Sequence, residues 1–229
     1  MKLVWATHEQ DFGCCSVAVQ SAIKKGFNPS DIVVGVSSDF HRGEEYFAPL
    51  KVSVAASKYT RRDLFSDLVA RLRLVCGVAD EWAISLDSDT ILMDLKPFQA
   101  AIESGFKAAA PAGVKENRFL GCSTLFHVPS TRHALARLLA SNPAKIPAAD
   151  FPDDIATALT FEAVFGKDSI LRFPSSIIGW HRFDGDGFKE MKGKAVANFG
   201  QRSEARRLAK GKPVRSVVAA AMKSFAKTL

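Results

Sequence analysis

The 229-residue sequence lacks any apolar run of about 18 residues, the length at which a segment becomes a candidate for a bilayer-spanning helix. It also lacks, after Met1, the apolar segment and small-residue cleavage site of a secretory signal. The four cysteines, Cys14, Cys15, Cys76 and Cys122, have no C-x-x-C spacing, so a zinc site and a disulfide framework are not indicated. These absences predict a cytoplasmic protein with buried free thiols and no transmembrane segment.

The composition, 47% hydrophobic and 24% charged, is typical of one ordinary globular domain. The net charge of +7 is concentrated at the end of the chain, because residues 201–229 contain eight basic side chains and one acidic one. We therefore expect a neutral body over residues 1–200 and a basic helical extension over residues 201–229. Such an asymmetry favours contact with an anionic surface, either membrane lipid or DNA.

The extension contains an amphipathic pattern from Pro213 to Leu229, with Arg215, Lys223 and Lys227 predicted on faces other than the apolar one. Three uses fit this pattern. The helix packs on the body, lies on an anionic membrane as a peripheral anchor, or contacts nucleic acid phosphate.

Short apolar runs of strand length alternate with helical patterns along the body, which predicts an α/β fold. We expect a single Rossmann-like domain whose central sheet is mixed, mostly parallel and flanked by helices. The predicted strands are 3–7, 31–36, 50–55, 82–86, 108–110, 119–126 and part of 169–180, and the predicted helices are 14–25, 61–75, 97–102, 130–140 and 153–165.

One predicted strand ends directly on Asp87, Ser88 and Asp89. Two carboxylates at i and i+2, where a buried strand leaves the sheet, can reach a common divalent cation or its waters. The alternative is an ordinary loop whose carboxylates cap the next helix.

With this motif, the order of elements resembles the GT-A glycosyltransferases, which use nucleotide sugars. The resemblance covers most of residues 2–200. It includes the first strand with its polar loop and helix, the Asp-Ile-Val-Val strand at 31–34, the basic residues after position 57, and the segment 94–98 that follows the acidic pair. It implies that Asp87 and Asp89 hold Mn²⁺ or Mg²⁺ against the diphosphate of the sugar donor, and that the turn at 120–123 lines the sugar and acceptor pocket.

Further cationic and polar residues are candidates for donor binding. Lys58, Arg61 and Arg62 could neutralise phosphate, or could form a solvated helix face. The loops after the first two strands lie at the expected rim of a nucleotide site, with Thr7 and His8 in one and Asp39 in the other. Both could equally be ordinary polar loops.

The resemblance also implies an acceptor site and a third metal ligand. Asp153 and Asp154 correspond to an acidic position near the acceptor, where a carboxylate acts as general base; the alternative is that they cap a helix. The third ligand is usually a late His. Here the choice lies between His181, which also fits a structural role, and Asn198, which stands where the family carries His.

Together these features predict a metal-dependent glycosyltransferase that moves a hexose or pentose from a nucleoside diphosphate to a hydroxyl of a glycolipid, a polysaccharide or a hydroxymethylated DNA base. One alternative is a Mg²⁺-dependent phosphatase like the haloacid dehalogenases, with Asp87 as nucleophile. Another is a non-enzymatic α/β protein that binds nucleic acid through its extension. The order of residues leaves open the donor base, the sugar and whether its anomeric configuration is retained.

Overall fold

The computed structural model describes residues 1–37, 39–58, 64–112, 122–140, 153–181, 188–200, 205, 209 and 213–229. Within this part of the chain there are ten strands and seven α-helices. The strands are β1 Lys2–Thr7, β2 Ile32–Val36, β3 Ser53–Ala56, β4 Trp82–Asp87, β5 Thr90–Leu92, β6 Ala108–Pro111, β7 Ser123–His127, β8 Ile170–Phe173, β9 Ile178–Trp180 and β10 Val196–Asn198. The helices are α1 Phe12–Lys24, α2 Phe40–Phe47, α3 Leu64–Cys76, α4 Lys96–Glu103, α5 Val128–Ala140, α6 Asp153–Phe165 and α7 Val214–Ala226.

Seven strands form the large sheet, in the order β3-β2-β1-β4-β7-β6-β8. The first four in this order run parallel to one another, and β7 runs antiparallel to both of its neighbours, β4 and β6. Strand β8 pairs in parallel with β6. The prediction of an α/β domain with a mixed, mostly parallel central sheet is therefore confirmed.

Helices cover both faces of this sheet, and side chains of β1 alternate between them. Leu3 and Trp5 belong to one buried cluster, which includes side chains of α1 and α7, whereas Val4 belongs to the other, which includes α3, α5 and α6. A strand buried on both faces needs apolar residues at successive positions, and β1 and β2 have such sequences.

A second sheet of three strands, in the order β5-β10-β9, lies beside the acidic motif. Strand β10 runs antiparallel to β5 and parallel to β9, and it places Asn198 opposite Thr90. The hydrophobic pattern did not predict β10, which has only three residues, and it did not predict α2. The Pro174 region, predicted as strand material, consists of two strands, β8 and β9, with a 3-10 turn at Ser175–Ile177 between them.

The third predicted strand begins later than expected, at Ser53 rather than at residue 50. The chain forms a 3-10 turn over Ala48–Leu50, with Pro49 in its first turn, and Lys51 follows with a left-handed φ of 56°. Because proline has no N–H for a ladder and a left-handed residue reverses the chain, the strand cannot begin before this turn.

Helix α7 packs against α1 and buries Val218, Met222 and Phe225. Of the three uses considered for the basic extension, packing on the body is the one seen for residues 214–226. The placement of Arg215 on another face was wrong: it precedes Val218 by three residues and Met222 by seven, so it lies on the buried side of α7. None of the helices in the described ranges combines the length and the apolar character that a bilayer crossing needs.

Candidate functional site

The carboxyl ends of the four parallel strands bring the predicted nucleotide loops and the acidic motif to one edge of the sheet. Ala6 pairs with Asp87, and Thr7 pairs with Val36. The carbonyl oxygen of Thr7 accepts hydrogen bonds from the Ser37 backbone N–H at 3.1 Å and the Ser37 hydroxyl at 3.0 Å. The loops after β1 and β2 are therefore tied together next to the end of β4.

Asp87, the last residue of β4, has a partly exposed carboxylate. Its side chain is 40% exposed, and its Oδ1 accepts a hydrogen bond from Nη2 of Arg71 at 3.0 Å. Arg71 comes from α3 and is itself buried. The backbone N–H of Asp87 donates to the Cys122 carbonyl at 3.2 Å, so β4 continues its pairing up to the motif. This arrangement holds the Asp87 carboxylate in place while leaving it accessible from solvent.

Asp89 is much less accessible, with a side chain only 5% exposed. Its carbonyl oxygen accepts the Phe199 N–H at 2.9 Å, which ties the motif to the end of β10. Its Oδ2 accepts a hydrogen bond from Nη1 of Arg215 at 3.2 Å. Ser88, between the two aspartates, is buried.

Arg215 also pairs with Asp11, a residue just before α1 whose side chain is 0% exposed. Nε of Arg215 lies 2.5 Å from Oδ1 of Asp11, and Nη2 donates to Oδ2 at 3.1 Å. One guanidinium group thus joins Asp11 and Asp89, and it places the first turn of α7 in the candidate site.

Three charged residues of this cluster, Arg71, Arg215 and Asp11, were not predicted from the sequence as site residues. Arg71 had a local signal, because it stands three residues after Leu68 and four before Val75 on the apolar side of α3. Arg215 had the corresponding signal in α7. Asp11 had none, since its partner lies 204 residues away.

The two candidates for a third metal ligand lie at the ends of neighbouring strands of the small sheet: Asn198 is the last residue of β10, and His181 directly follows β9. Asn198 is buried; its Nδ2 donates to the Thr90 hydroxyl at 2.9 Å, and its Oδ1 accepts the Gly200 N–H at 2.7 Å. A Cβ added to Gly200 would stand 2.8 Å from Oδ1 of Asn198 and 3.8 Å from Oδ2 of Asp89. Both oxygens therefore border the small space at Gly200.

His181 lies one strand further from the acidic motif, and its N–H donates to the Asn198 carbonyl at 2.9 Å. Its ring is buried and contacts the rings of Phe188 and Phe199, with centroids 5.3 and 5.1 Å away. This aromatic packing is what a structural histidine would have.

Three of the residues predicted to bind the donor have other contacts. Nδ1 of His8 accepts the Gln10 N–H at 3.5 Å, and Asp39 caps α2 by accepting the Arg42 N–H at 3.1 Å. Lys58 is exposed and lines a cleft of about 890 Å³ between β2, β3 and α3, whose lining does not include the acidic pair. Thr7 and His8 thus share the edge with Asp87; Lys58 follows the end of β3 at this edge but lines the cleft beside α3.

Several predicted residues lie outside the described part of the chain. Arg61 and Arg62 are among them. For Asp153 and Asp154 the structure describes the backbone, which opens α6, but not the side chains. Their proposed roles stay predictions.

The thiols near the site are not activated nucleophiles. All four cysteines are free. Burial raises the pKa of the Cys122 thiol far above its ordinary value, and the negative charge of Asp87 raises it further. Burial likewise raises the pKa of the Cys15 thiol, beside Thr7, far above its ordinary value, so Cys122 and Cys15 are neutral thiols at physiological pH.

The donor atoms at this edge fit a hard divalent cation. Carboxylate and amide oxygens are the ligands that Mg²⁺ and Mn²⁺ prefer, and Asp87, Asp89 and Asn198 supply them around one strand end. Among the described residues, no three His, Cys, Asp or Glu side chains group as a metal site. A cation here would need an amide, water or donor phosphate oxygen to complete its coordination.

No protein-family model and no curated protein matches the sequence. The comparison with known proteins therefore uses solved structures. The galactosyltransferase LgtC, in complex with donor and acceptor sugar analogues, superposes with a TM-score of 0.61 at 13% identity, over 100% of this chain and 96% of that one. The chain has the GT-A fold.

Two other solved structures agree with this assignment. The glycosyltransferase GlyE of Streptococcus pneumoniae has a TM-score of 0.58 at 13% identity, over 99% of this chain and 62% of that one. Mouse xyloside xylosyltransferase 1 has a TM-score of 0.51 at 9% identity, over 87% and 97%. The resemblance inferred from the order of elements is thus confirmed at the level of the fold.

Proposed function

We propose that this protein transfers a hexose or pentose from a nucleoside diphosphate to a hydroxyl acceptor, with Mn²⁺ or Mg²⁺ bound at Asp87 and Asp89. The observation that carries the proposal is the pair of aspartates at the carboxyl end of β4 in a GT-A fold. The names of LgtC and the mouse xylosyltransferase, which are sugar transferases, support the reaction class.

A divalent cation in this position supplies positive charge to the departing nucleoside diphosphate. In our proposal the carboxylates of Asp87 and Asp89 hold it, and the amide oxygen of Asn198 is the third protein ligand. His181 is the less suitable alternative because of its aromatic surroundings. Arg71 orients Asp87 through their hydrogen bond.

The donor would lie along the edge formed by the loops after β1 and β2. Thr7 and His8 flank the end of β4 there, and Asp39 follows at the start of α2, so we propose that these loops contact the nucleoside. Asp153 and Asp154 at the start of α6 remain our candidates for binding or deprotonating the acceptor hydroxyl. Arg61 and Arg62 remain candidates for phosphate binding, and the exposed Lys58 is a weaker one.

No observation in the described residues favours the phosphatase or the non-enzymatic alternative. The structural neighbours are glycosyltransferases by name, and α7 packs on the body rather than extending from it. A cytoplasmic location, and contact of the exposed Lys223 and Lys227 with lipid or DNA, stay predictions.

A thermal-shift panel tests the proposal. The protein is heated with each of the common nucleoside diphosphates and nucleotide sugars, with and without Mn²⁺. A ligand at 100 times its dissociation constant stabilises the folded state by about 2.7 kcal/mol. For a chain of this length, that corresponds to a rise in melting temperature of about 5–10 °C. We expect one nucleobase to give such a rise in the presence of Mn²⁺ and a much smaller one without it.

The matched control is the Asp89→Asn variant, which should lose the metal-dependent rise, beside Asp80→Asn at the opposite edge of the sheet, which should keep it. The sugar nucleotide that gives the largest rise is then incubated with enzyme, and released nucleoside diphosphate is measured. If no nucleoside diphosphate or nucleotide sugar stabilises the protein in Mn²⁺, the donor assignment is wrong.

A further inference from the structure

The two aspartates of the motif differ in what covers them. Asp87 is partly open to solvent, whereas Asp89 is buried and one of its carboxylate oxygens already accepts a hydrogen bond from the Arg215 guanidinium. A divalent cation must approach a carboxylate oxygen to about 2.0–2.6 Å. With Arg215 3.2 Å from Oδ2 of Asp89, two positive charges would then share the same oxygen or its neighbour.

The three contacts of Arg215 are unevenly divided. Asp11 receives two of them, through Nε and Nη2, and Asp89 receives one, through Nη1. A planar guanidinium that is bound through two nitrogens to one carboxylate keeps its orientation when the third nitrogen loses its partner. Arg215 can therefore remain on Asp11 while the Asp89 carboxylate turns away from it.

Helix α7 does not need to move for this exchange. Val218, Met222 and Phe225 are buried against the body, and Phe225 contacts the rings of Phe188 and Phe199 at 5.0 and 5.8 Å. The exchange is thus confined to one hydrogen bond at the first turn of the helix.

We propose that Arg215 is an internal cation that competes with the divalent metal for Asp89, so that the metal binds fully only when the Asp89 carboxylate gives up its hydrogen bond from Nη1 of Arg215. This inference rests on the proposed metal site at Asp87 and Asp89. It makes Arg215 a positioning residue: in the empty site it fixes the Asp89 carboxylate and lowers its affinity for metal. In the loaded site it stays beside the metal, on Asp11, and adds positive charge where the donor diphosphate would bind.

The test is a titration with Mn²⁺ alone, in which free Mn²⁺ is followed by electron paramagnetic resonance. The Arg215→Ala variant should bind Mn²⁺ about tenfold more tightly than the wild type, a difference of about 1.4 kcal/mol. The Asp11→Asn variant should bind it more weakly, because Arg215 then has Asp89 as its remaining carboxylate in this cluster. Lys223→Ala, which removes an exposed cation from the same helix, should leave the affinity within about twofold.

Two further variants keep the test decisive. Arg215→Ala leaves Asp11 buried without this partner, so its folding is checked by circular dichroism. The double variant Arg215→Ala with Asp11→Asn removes both charges. It should also bind Mn²⁺ more tightly than the wild type. That result also excludes Asp11 as a newly available ligand. Adding Asp87→Asn to Arg215→Ala should abolish the tight binding and so locate it at the motif.

Mn²⁺ binding no tighter than that of the wild type, both in Arg215→Ala and in Arg215→Ala with Asp11→Asn, would overturn the competition while leaving the metal site in place. Absence of Mn²⁺ binding by every variant, including wild type, would instead reject the proposed metal site, and this inference with it. The two failures are therefore distinguishable in one titration series.

Discussion

The two edges of the parallel strands β1, β2 and β4 are both lined by charged residues, but they differ in burial. At the amino edge, the Met1 ammonium lies 2.8 Å from Asp80, and Lys2 lies 2.9 Å from Asp31 and 3.6 Å from Asp80. These side chains are partly exposed, and in this group two positive charges meet two negative ones.

At the carboxyl edge, three carboxylates of the described cluster, Asp11, Asp87 and Asp89, meet two guanidinium groups, Arg71 and Arg215. The side chains of Asp11 and Asp89 are almost fully buried, whereas that of Asp87 is 40% exposed. Charges interact more strongly in a low-dielectric interior than at an exposed surface. The same strands thus carry an exposed edge that contributes modestly to stability and a buried edge whose carboxylates are suited to binding a metal.

The largest expected effect concerns the packing that carries Arg215 to the carboxyl edge. Phe225→Ala should lower the free energy of unfolding by about 3–5 kcal/mol, because a buried phenyl ring is lost and a cavity remains. Urea unfolding measures this. Leu229→Ala, at an exposed position of the same segment, should change it by less than about 0.5 kcal/mol. Similar losses in both variants would mean that α7 is not a specific part of the core.

The next effect compares aspartates at the two edges. Asp87→Asn and Asp89→Asn should each reduce release of nucleoside diphosphate from the donor by about 100- to 1000-fold, since each removes a charge that would hold the metal. Asp80→Asn should retain the wild-type rate. A comparable loss in Asp80→Asn would show that the two edges do not differ in function.

A smaller effect is expected from the buried pair beside the motif. Asp11→Asn should lower the free energy of unfolding by about 1.5–3 kcal/mol, because a charged hydrogen-bond acceptor of Arg215 is replaced by a neutral one. Asp31→Asn, at the exposed pair with Lys2, should cost less than about 1 kcal/mol. If the two variants were equally stable, burial would not distinguish the edges.

The smallest effect is a pH dependence at the amino edge. The hydrogen bond from the Met1 ammonium holds the pKa of Asp80 below its usual range. A carboxylate with a lowered pKa in the folded state stabilises it above the unfolded pKa, about 3.9, and loses this contribution as the pH falls through the folded value. Wild-type protein should therefore lose more stability than Asp80→Asn between about pH 5 and pH 2.

This difference should be below about 1 kcal/mol, because the pair is partly exposed. Urea unfolding of both proteins at several pH values measures it. A parallel pH dependence in wild type and Asp80→Asn would show that Asp80 contributes nothing at this edge.

The sequence predicted those parts of the fold whose signals are local. The apolar runs of β1 and β4 gave strands within a residue of their observed bounds, and α6 was predicted at its observed bounds. The order of strands in the sheet could not be derived in this way, because pairing such as that of β4 with β7 is decided by tertiary packing. Strand β10 has only three residues, too few for a periodic pattern.

The candidate site divides in the same way. Asp87 and Asp89 were found because a strand and two carboxylates are adjacent in the sequence. Arg215 and Asp11 were not, because their pairing joins positions 204 residues apart, and the spacing that puts Arg215 on the apolar side of its helix does not identify its partner. The resemblance to a fold family was based on the order of elements, and that order does not indicate this ion pair.

The contact of Arg215 with Asp89 can form only late in synthesis, because Arg215 follows Asp89 in the chain. The two residues are 126 positions apart, so at about 5–20 residues per second the ribosome adds Arg215 roughly 6–25 s after Asp89. Until then, the acidic motif of the nascent chain has no guanidinium from α7 beside it. On the growing polypeptide, ions in the surrounding solution reach these carboxylates first, and the protein's own cation arrives afterwards.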